Sequence, residues 1–350
     1  MRGARVCGPR DRAAAAPLAY AGRAVLEPEI AAFVAAVDAW YPPGAAACAP
    51  DEQRRLYDRF AAAWTPATLP AGIARQDAVW QAPHGQPIAL RRYAPTHGAP
   101  RGTVLFFHGG GFVVGSLDSH QLITAQLAAD TGLAVIAVDY RLAPEHRAPA
   151  ALEDCAAVAR AARDARLPFG PCAAPLTLAG DSAGGNLAAA VATVLRDADA
   201  RGVEGIDGVA LVYPMLGFEP QSPARETEAH APMLTLDDVH RYRAWYWGEG
   251  EATARSGDRA SHADPLLRAS LPLEAARFDG LPPVLAIGAE HDPLRDDARV
   301  YVERIRAAGG RARYWMGEGL VHGCWRALAT SPQAARLHRM VGAFLLAPDT

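Results

Sequence analysis

Apolar residues follow a helical pattern before any strand-like pattern begins. Between Ile30 and Val37 they recur at three- and four-residue spacing, and Pro-Pro-Gly at 42–44 ends the run. Residues 51–63 continue with apolar side chains on one helical face: Leu56, Tyr57 and Phe60. The pattern therefore predicts two helices ahead of the first strand.

Short strand-like runs follow, and their spacing changes along the chain. The first three have only turn residues between them and lie at 77–81, 88–93 and 103–107. Later apolar runs alternate with helical stretches and lie at 134–138, 175–179, 208–213 and 283–288. This alternation predicts one α/β domain whose mostly parallel sheet is covered by helices on both faces.

One connection is too long for a simple crossover helix. About 70 residues separate the strand-like run near 211 from the one near 285. Open α/β sheets bind ligands at the carboxyl edge of their strands. We therefore expect the inserted segment to form a cap over that edge.

Length and charge narrow the class of partner. The chain has 350 residues and a net charge of -3, without the basic excess that nucleic acid or an anionic membrane attracts. No apolar run approaches the roughly 18–20 residues of a membrane span. We expect a small-molecule substrate, no nucleic-acid partner and no membrane partner, in a monomer or homodimer.

The amino-terminal segment differs from the rest of the chain. Residues 1–23 are rich in Arg and Ala, and a short apolar stretch there is broken by proline, glycine and arginine. We expect a disordered extension or an upstream start-codon misassignment rather than a secretory signal. Residues 24–350 then form a single domain.

Two residue types exclude particular chemistries. The chain has no lysine, which excludes Schiff-base formation, pyridoxal phosphate attachment, a serine–lysine dyad and a P-loop. Its five cysteines are scattered, without a CxxC pair or histidines at metal-ligand spacing. We expect no metal site, and free thiols in a reducing, cytoplasmic compartment.

The sequence GDSAGGN at 180–186 lies between a strand-like run and a helical run. A nucleophile on such a turn has a strained backbone, and glycines at 180 and 184 let the strand and helix approach closely. The helix amino terminus adds N–H donors and partial positive charge. An ordinary capped turn is the alternative, but the context predicts that Ser182 is a nucleophile.

A second glycine-rich motif, HGGGF at 108–112, directly follows another strand-like run. Three consecutive glycines cost conformational entropy, so their retention needs a reason other than a flexible surface loop. The N–H groups of Gly110 and Gly111, with that of Ala183, are candidates for an oxyanion hole. We expect His108 to orient this loop rather than transfer protons.

A serine nucleophile needs a base and an acid that orients the base. Chain order in α/β-hydrolases is Ser, acid, His. Asp292 follows the run PVLAIG, and His322 follows the run ARYW, so both are expected on loops at strand carboxyl ends. His291 is the adjacent competitor but follows the wrong strand. The sequence thus predicts Ser182, Asp292 and His322 as a triad.

These motifs together resemble the bacterial esterase branch of the hormone-sensitive lipase family. The likeness spans roughly residues 27–345 and rests on HGGGFVVGS at 108–116, DYRLAPEHRAPAALED at 139–154, GDSAGGNLAAA at 180–190, HDPLRDD at 291–297 and HG at 322–323. The resemblance implies an α/β-hydrolase fold with an eight-stranded sheet. It implies a cap from about 24–75 and about 215–265, and places the triad and oxyanion donors on the same residues.

The resemblance also implies hydrolysis of short to medium acyl esters without a metal or organic cofactor. The same machinery serves amidases, lactonases and natural-product deacetylases, and non-catalytic receptors on this scaffold lose the base that His322 would supply. One departure is Cys324, where the family usually has Phe. Another is the longer segment 273–280, which leaves the triad untouched.

Aromatic residues suggest the size of the substrate pocket. A helix predicted over 235–247 carries Trp245 and Trp247 near its end, and Phe112 follows the glycine loop. If these rings face the cleft they bound an apolar pocket suited to acyl chains of roughly four to eight carbons. The alternative is that they pack the cap against the core.

Overall fold

A computed structural model describes residues 25–42, 44–198, 202–248 and 264–349. The extension predicted at 1–23 lies outside these residues, as does 249–263, part of the inserted segment. None of the described helices is long and apolar enough to cross a membrane.

An eight-stranded sheet forms the centre of the fold, in the order β1-β2-β4-β3-β5-β6-β7-β8. Strand β2 is antiparallel to its neighbours β1 and β4, and the remaining pairs are parallel. The strands are Ile73–Gln81 (β1), Pro87–Pro95 (β2), Thr103–Phe107 (β3), Ala134–Asp139 (β4), Leu176–Asp181 (β5), Gly208–Val212 (β6), Val284–His291 (β7) and Ala312–Val321 (β8). The prediction of a mostly parallel α/β-hydrolase sheet is confirmed.

Helices precede the sheet and fill the connections between its strands. In the described part of the chain they are Pro28–Trp40 (α1), Pro50–Trp64 (α2), Gln121–Thr131 (α3), Ala150–Arg163 (α4), Ala183–Ala198 (α5), Ala224–Thr227 (α6), Leu236–Trp247 (α7), Pro265–Ala269 (α8), Arg295–Ala307 (α9) and Pro332–Leu346 (α10). Short 3₁₀ helices span Ala45–Ala47, Pro272–Glu274 and Cys324–Ala327.

Local sequence explains several helix ends. Helices α1, α2, α8 and α10 begin with proline in their first turn, where the missing N–H costs nothing. Helix α7 begins with a capping box, in which the Thr235 side chain accepts from the Asp238 N–H and the Asp238 carboxylate accepts from the Thr235 N–H. The helix predicted from near Thr235 is therefore present.

The core lies on both faces of the sheet. Strand β3 is buried along its whole length, and alternate residues enter different apolar clusters: Leu105 and Phe107 join one, Val104 and Phe106 the other. Helices α4, α5 and α9 supply the first cluster, and α3 and α10 supply the second. Burial on both faces makes the central strands a rigid support for the loops at their carboxyl ends.

Candidate active site

Ser182 forms a one-residue turn between β5 and α5. Its φ of 55° lies in the left-handed region, which is costly for a residue with a Cβ atom. Backbone bonds hold this conformation: the Ser182 N–H donates to the Val212 carbonyl at 2.8 Å, and its carbonyl accepts from the Asn186 N–H at 3.1 Å. A Cβ atom at Gly184 would collide with the Phe107 carbonyl oxygen. Glycine there lets α5 pack directly against the sheet.

The structure brings Ser182, His322 and Asp292 into one hydrogen-bonded chain. The Nε2 atom of His322 lies 2.9 Å from the Ser182 Oγ atom, and its Nδ1 atom lies 2.7 Å from the Asp292 Oδ2 atom. The other oxygen of Asp292 accepts from the Leu294 N–H at 2.8 Å. Asp292 is completely buried, which fixes its carboxylate behind the imidazole.

Topology explains why residues so distant in sequence meet here. Asp292 directly follows β7 and His322 directly follows β8, and these parallel strands are neighbours in the sheet. The competitor His291 is the last residue of β7 and is buried, with Nδ1 3.5 Å from the Glu228 carboxylate and Nε2 3.9 Å from the Glu290 carboxylate. His291 therefore makes no contact with Ser182.

The glycine loop presents two free N–H donors beside the serine. Gly110 and Gly111 have φ values of 122° and 59°, and both line the cleft that contains Ser182. Their N–H groups have no hydrogen-bond partner among the residues that the structure describes. Ala183 is the first residue of α5, where an N–H has no intrahelical acceptor. The arrangement can stabilise an oxyanion with three donors.

His108 lies behind the glycine loop rather than beside the serine. Its ring stacks on Tyr140 at 4.3 Å, and its Nδ1 atom lies 2.9 Å from the Gly109 carbonyl oxygen. The Tyr140 hydroxyl donates to the His108 carbonyl at 2.6 Å. Burial, with the nearby His120, lowers the pKa of His108 to about 3, so its ring is neutral at pH 7. A neutral, stacked imidazole can support the loop.

Asp181 links the nucleophile turn to the glycine loop, a role that motif reading missed although the residue lies within GDSAGGN. Its carboxylate accepts from the Gly109 N–H at 3.0 Å and lies 3.3 Å from the His120 Nε2 atom. Burial raises the pKa of Asp181, but interactions with His120, Arg326 and the Gly109 N–H outweigh burial and leave the pKa below its ordinary value. The charged carboxylate therefore holds Gly109 in place next to Ser182.

Arg54 is a second residue that sequence reasoning missed. Its Nε–H donates to the Val113 carbonyl and its Nη2–H to the Ala143 carbonyl, each at 2.8 Å. It also pairs with Glu145 at 2.6 Å. The helical pattern of α2 identified only its apolar face, and these bonds depend on loops about 59 and 89 residues further along the chain.

A cleft of about 400 Å³ opens beside Ser182. Both amino-terminal helices and α7 supply its walls, and the glycine loop and the His322 loop supply its floor. Its larger lining side chains are Tyr41, Leu56, Tyr57, Phe60, Met233 and Tyr242. This volume lies in the ordinary range for a small-molecule site.

The three aromatics predicted to line the pocket do not line this cleft. Phe112 has a φ of 63°, and its ring is buried and stacks on Tyr246 with ring centroids 3.8 Å apart. Trp247 is buried against Phe218. Trp245 packs edge-on against a neighbouring tyrosine of α7 and against the core. The alternative weighed from the sequence, packing between cap and core, is the correct one.

Tyr242 occupies the position that the tryptophans were expected to fill. Its hydroxyl donates to the Gln53 Oε1 atom at 2.8 Å, which joins α7 to α2 across the cleft. A Cβ atom at Gly111 would lie only 2.6 Å from the Tyr242 ring. Close packing against this ring is therefore a second reason for glycine in the loop.

Cys324 replaces the usual phenylalanine without entering the cleft. Its side chain is completely buried, and burial raises the pKa of its thiol. It is one of four described cysteines, all of them free thiols. The described residues also contain no group of three or more His, Cys, Asp or Glu side chains arranged to hold a metal ion.

Comparisons with known proteins agree with this geometry. A family model described as alpha/beta hydrolase fold matches residues 104–326. Esterase LipI of Mycobacterium tuberculosis is 37% identical over 240 residues, covering 68% of this chain and 71% of LipI. Carboxylic ester hydrolase LipN of the same organism is 36% identical over 239 residues, covering 67% of this chain and 60% of LipN.

A solved structure shares nearly the whole architecture. The ester hydrolase EH1AB1 from the metagenome of Lake Arreo superposes with a TM-score of 0.80 at 30% identity, covering 93% of this chain and 99% of that protein. The fold, the family match and these relatives define a class of enzyme, the carboxylic ester hydrolases. The chain belongs to the hormone-sensitive lipase family of α/β-hydrolases.

Proposed function

We propose that Ser182 is the nucleophile of a two-step acyl transfer. Its Oγ atom attacks the ester carbonyl while the His322 Nε2 atom takes the hydroxyl proton. The protonated imidazole then donates that proton to the leaving alcohol, which leaves an acyl–serine ester. Water, deprotonated by His322, attacks the acyl–serine, and the carboxylic acid and free serine result.

The hydrogen-bonded chain from Asp292 through His322 to Ser182 carries this proposal. The buried carboxylate accepts from Nδ1–H, which leaves the lone pair of Nε2 directed at the hydroxyl 2.9 Å away. Asp292 also stabilises the imidazolium that forms during attack. The amides of Gly110, Gly111 and Ala183 support the same reaction as oxyanion donors, and such a donor typically contributes about 3–4 kcal/mol of transition-state stabilisation.

The cleft supports esters with short to medium acyl chains as substrates. Its volume of about 400 Å³ is bounded by side chains from the amino-terminal helices and α7. We propose that these elements belong to a cap, which residues of about 24–75 and about 215–265 form. We expect activity to be highest on acyl chains of roughly four to eight carbons, because Tyr41, Phe60 and Tyr242, and not the tryptophans, limit the length of the cleft.

The site of action that we propose is the cytoplasm, with the protein as a monomer or homodimer. Four described cysteines remain free thiols, and the three most buried are Cys48, Cys155 and Cys324. Free thiols persist in reducing compartments. Light scattering of the purified protein measures the oligomeric state directly.

Replacement of Ser182 by alanine tests the proposal. We expect Ser182→Ala to retain the unfolding temperature of the wild type and to lose at least about 10⁴-fold in kcat on 4-nitrophenyl butanoate. Amide and lactone analogues, assayed alongside, test the alternative leaving groups. Substantial turnover by the folded variant would disprove the assignment of the nucleophile.

A further inference from the structure

Arg326 is a buried cation on the wall of the catalytic cleft. Its side chain is only 6% exposed, yet it lines the same cleft as Ser182 and His322. It belongs to the 3₁₀ helix that directly follows the His322 loop, so its backbone position is coupled to that of the base. Neither the motifs nor the proposed acyl transfer assigns it a role.

Only some of the N–H donors of the Arg326 guanidinium have hydrogen-bond partners in the described parts of the protein. Nη1–H donates to the Ser119 carbonyl at 2.6 Å, and Nη2–H donates to the Tyr57 hydroxyl at 2.9 Å. The group lies over the Tyr57 ring at 5.2 Å and near the Phe60 ring at 5.9 Å. Guanidinium has five N–H donors, so three are left without a partner among the described residues.

The charge of Arg326 is also not paired directly. In the described parts of the chain its hydrogen bonds go to the Ser119 carbonyl and the Tyr57 hydroxyl, and no carboxylate forms an ion pair with it. The charge of Asp181 acts on Arg326, but the Asp181 carboxylate accepts from the Gly109 N–H and lies 3.3 Å from the His120 Nε2 atom. Burial by itself lowers the pKa of Arg326, but its interactions with Tyr57 and with the Asp181 carboxylate outweigh burial and raise the pKa. The protein thus holds the guanidinium in its charged form, with N–H donors left for a ligand anion. Arginine binds carboxylates through paired N–H donors.

The other charged residues along the cleft differ from Arg326. Asp238 pairs with Arg241 at 2.8 Å and also accepts from Thr235, so this pair is satisfied within α7. Asp38 lies on α1, and burial raises its pKa. Asp181 also lines the cleft and interacts with Arg326, but it is engaged by Gly109 and His120. The cleft thus places a buried cation that has unpartnered N–H donors beside apolar walls, an arrangement that favours a substrate with one anionic end.

We propose that Arg326 binds a carboxylate of the substrate, and that the preferred esters carry a free carboxylate a few bonds from the scissile carbonyl. Monoesters of short dicarboxylic acids have this chemistry on the acyl side. Acyl esters of short hydroxy acids have it on the alcohol side. The inference rests on the proposed function of Ser182, since it concerns which esters reach that serine.

Matched pairs of esters isolate the charge from the shape. Monoethyl succinate and ethyl 4-methylpentanoate have the same skeleton, with carboxylate in one where the other has an isopropyl group. Acetylated 3-hydroxypropanoate and 3-methylbutyl acetate form the corresponding pair on the alcohol side. The readout is the ratio of kcat/KM for the charged ester to that for the neutral ester, which cancels general losses of activity.

We expect the wild type to prefer the charged member of at least one pair by about 10- to 100-fold. Arg326→Met should lower that ratio by a similar factor, and Arg326→Lys should retain part of it because the charge remains without the planar fork. Arg91→Met is the matched control: Arg91 is equally buried on β2, where it pairs with Asp77 and Asp118. Its ratio should equal that of the wild type.

Measurements on the wild type alone keep the proposal testable if Arg326 variants fail to fold. Succinamate should inhibit hydrolysis of the neutral ester competitively and at least tenfold more strongly than 4-methylpentanamide, which has the same skeleton with an isopropyl group in place of the carboxylate. Ratios near one for both pairs, with the neutral esters hydrolysed, would overturn the carboxylate subsite and leave the esterase proposal intact. No hydrolysis of any ester would instead contradict the function proposed for Ser182.

Discussion

The catalytic loops and the cleft walls meet at Ser182 but are specified in different ways. The loops emerge from β3, β5, β7 and β8, and the first two are packed through backbone contacts at Gly110 and Gly184 that a Cβ atom would prevent. The walls come from α1, α2 and α7, and they meet the loops through side chains such as Arg54 and Tyr242. The triad proposed here therefore depends on the sheet for its geometry, whereas the shape of the cleft depends on side chains of separate helices.

The largest expected effect lies in the catalytic loops. His322→Ala should lower kcat by about 10⁴- to 10⁶-fold, and Asp292→Asn by about 10⁴-fold, because triad residues act as a unit. His291→Ala is the neighbouring control, since its ring faces Glu228 rather than Ser182. Steady-state kinetics on 4-nitrophenyl butanoate measures all three. Equal damage from His291→Ala would mean that the wrong histidine has been chosen.

A stability effect should follow from the glycine that supports the nucleophile turn. Gly184→Ala places a Cβ atom against backbone atoms of Phe107 and His108, which cannot rotate away as a side chain could. We expect a loss of about 3 kcal/mol or more in the free energy of unfolding, measured by urea denaturation. Gly309→Ala, at φ 81° with open space around it, should cost about 1–2 kcal/mol. Comparable losses in the two variants would contradict close packing at Gly184.

Acid should destabilise the catalytic loops through His108. Its pKa is about 3 in the folded state against 6.5 ordinarily, so the unfolded chain binds a proton first as pH falls. The contribution of His108 to the free energy of unfolding is fully present above pH 6.5 and decreases between pH 6.5 and about 3. At pH 5 the loss is about 2 kcal/mol.

His108→Asn should remove this part of the pH dependence, measured as unfolding free energy at pH 7 and pH 5. Asp297 acts in the opposite direction, because burial raises its pKa to about 7. The difference between wild type and variant isolates His108, since Asp297 is present in both. An unchanged slope with pH would show that His108 titrates normally.

The smallest effect should come from the cleft wall. Tyr242→Ala enlarges the cleft and removes the bond to Gln53, so we expect the preferred acyl length to increase by two to four carbons, with about a fivefold change in selectivity. Trp245→Ala, at the position that the sequence favoured, should leave the chain-length profile unchanged. Profiles of kcat/KM from acetyl to palmitoyl esters provide the comparison. A change of the preferred chain length in Trp245→Ala but not in Tyr242→Ala would contradict this assignment and favour the pocket predicted from the sequence.

Most residues of the candidate active site could be predicted from the sequence alone. Strand-like runs near 175–179 and 283–288 correspond to β5 and β7, and the residues after β5, β7 and β8 are those that meet as Ser182, Asp292 and His322. Parallel strands deliver their carboxyl ends to one edge, so position relative to a strand is enough to place such residues. The glycines at 180 and 184 likewise predicted the tight turn at Ser182, because only glycine permits so close an approach of strand and helix.

The cleft wall depended on tertiary structure. A helix presents side chains in all directions, so the aromatic end of α7 did not reveal that Tyr242 faces the cleft while Trp247 packs inward. Phe112 has a positive φ, which its neighbours in the sequence do not predict, and its ring lies in the core. Arg54, Asp181 and Arg326 act on loops far away in sequence. Sequence thus determined the sheet, the turn and the three side chains that meet beside the cleft through local and periodic patterns. Packing decided which side chains form the pocket, because their orientations depend on contacts that form only in the folded chain.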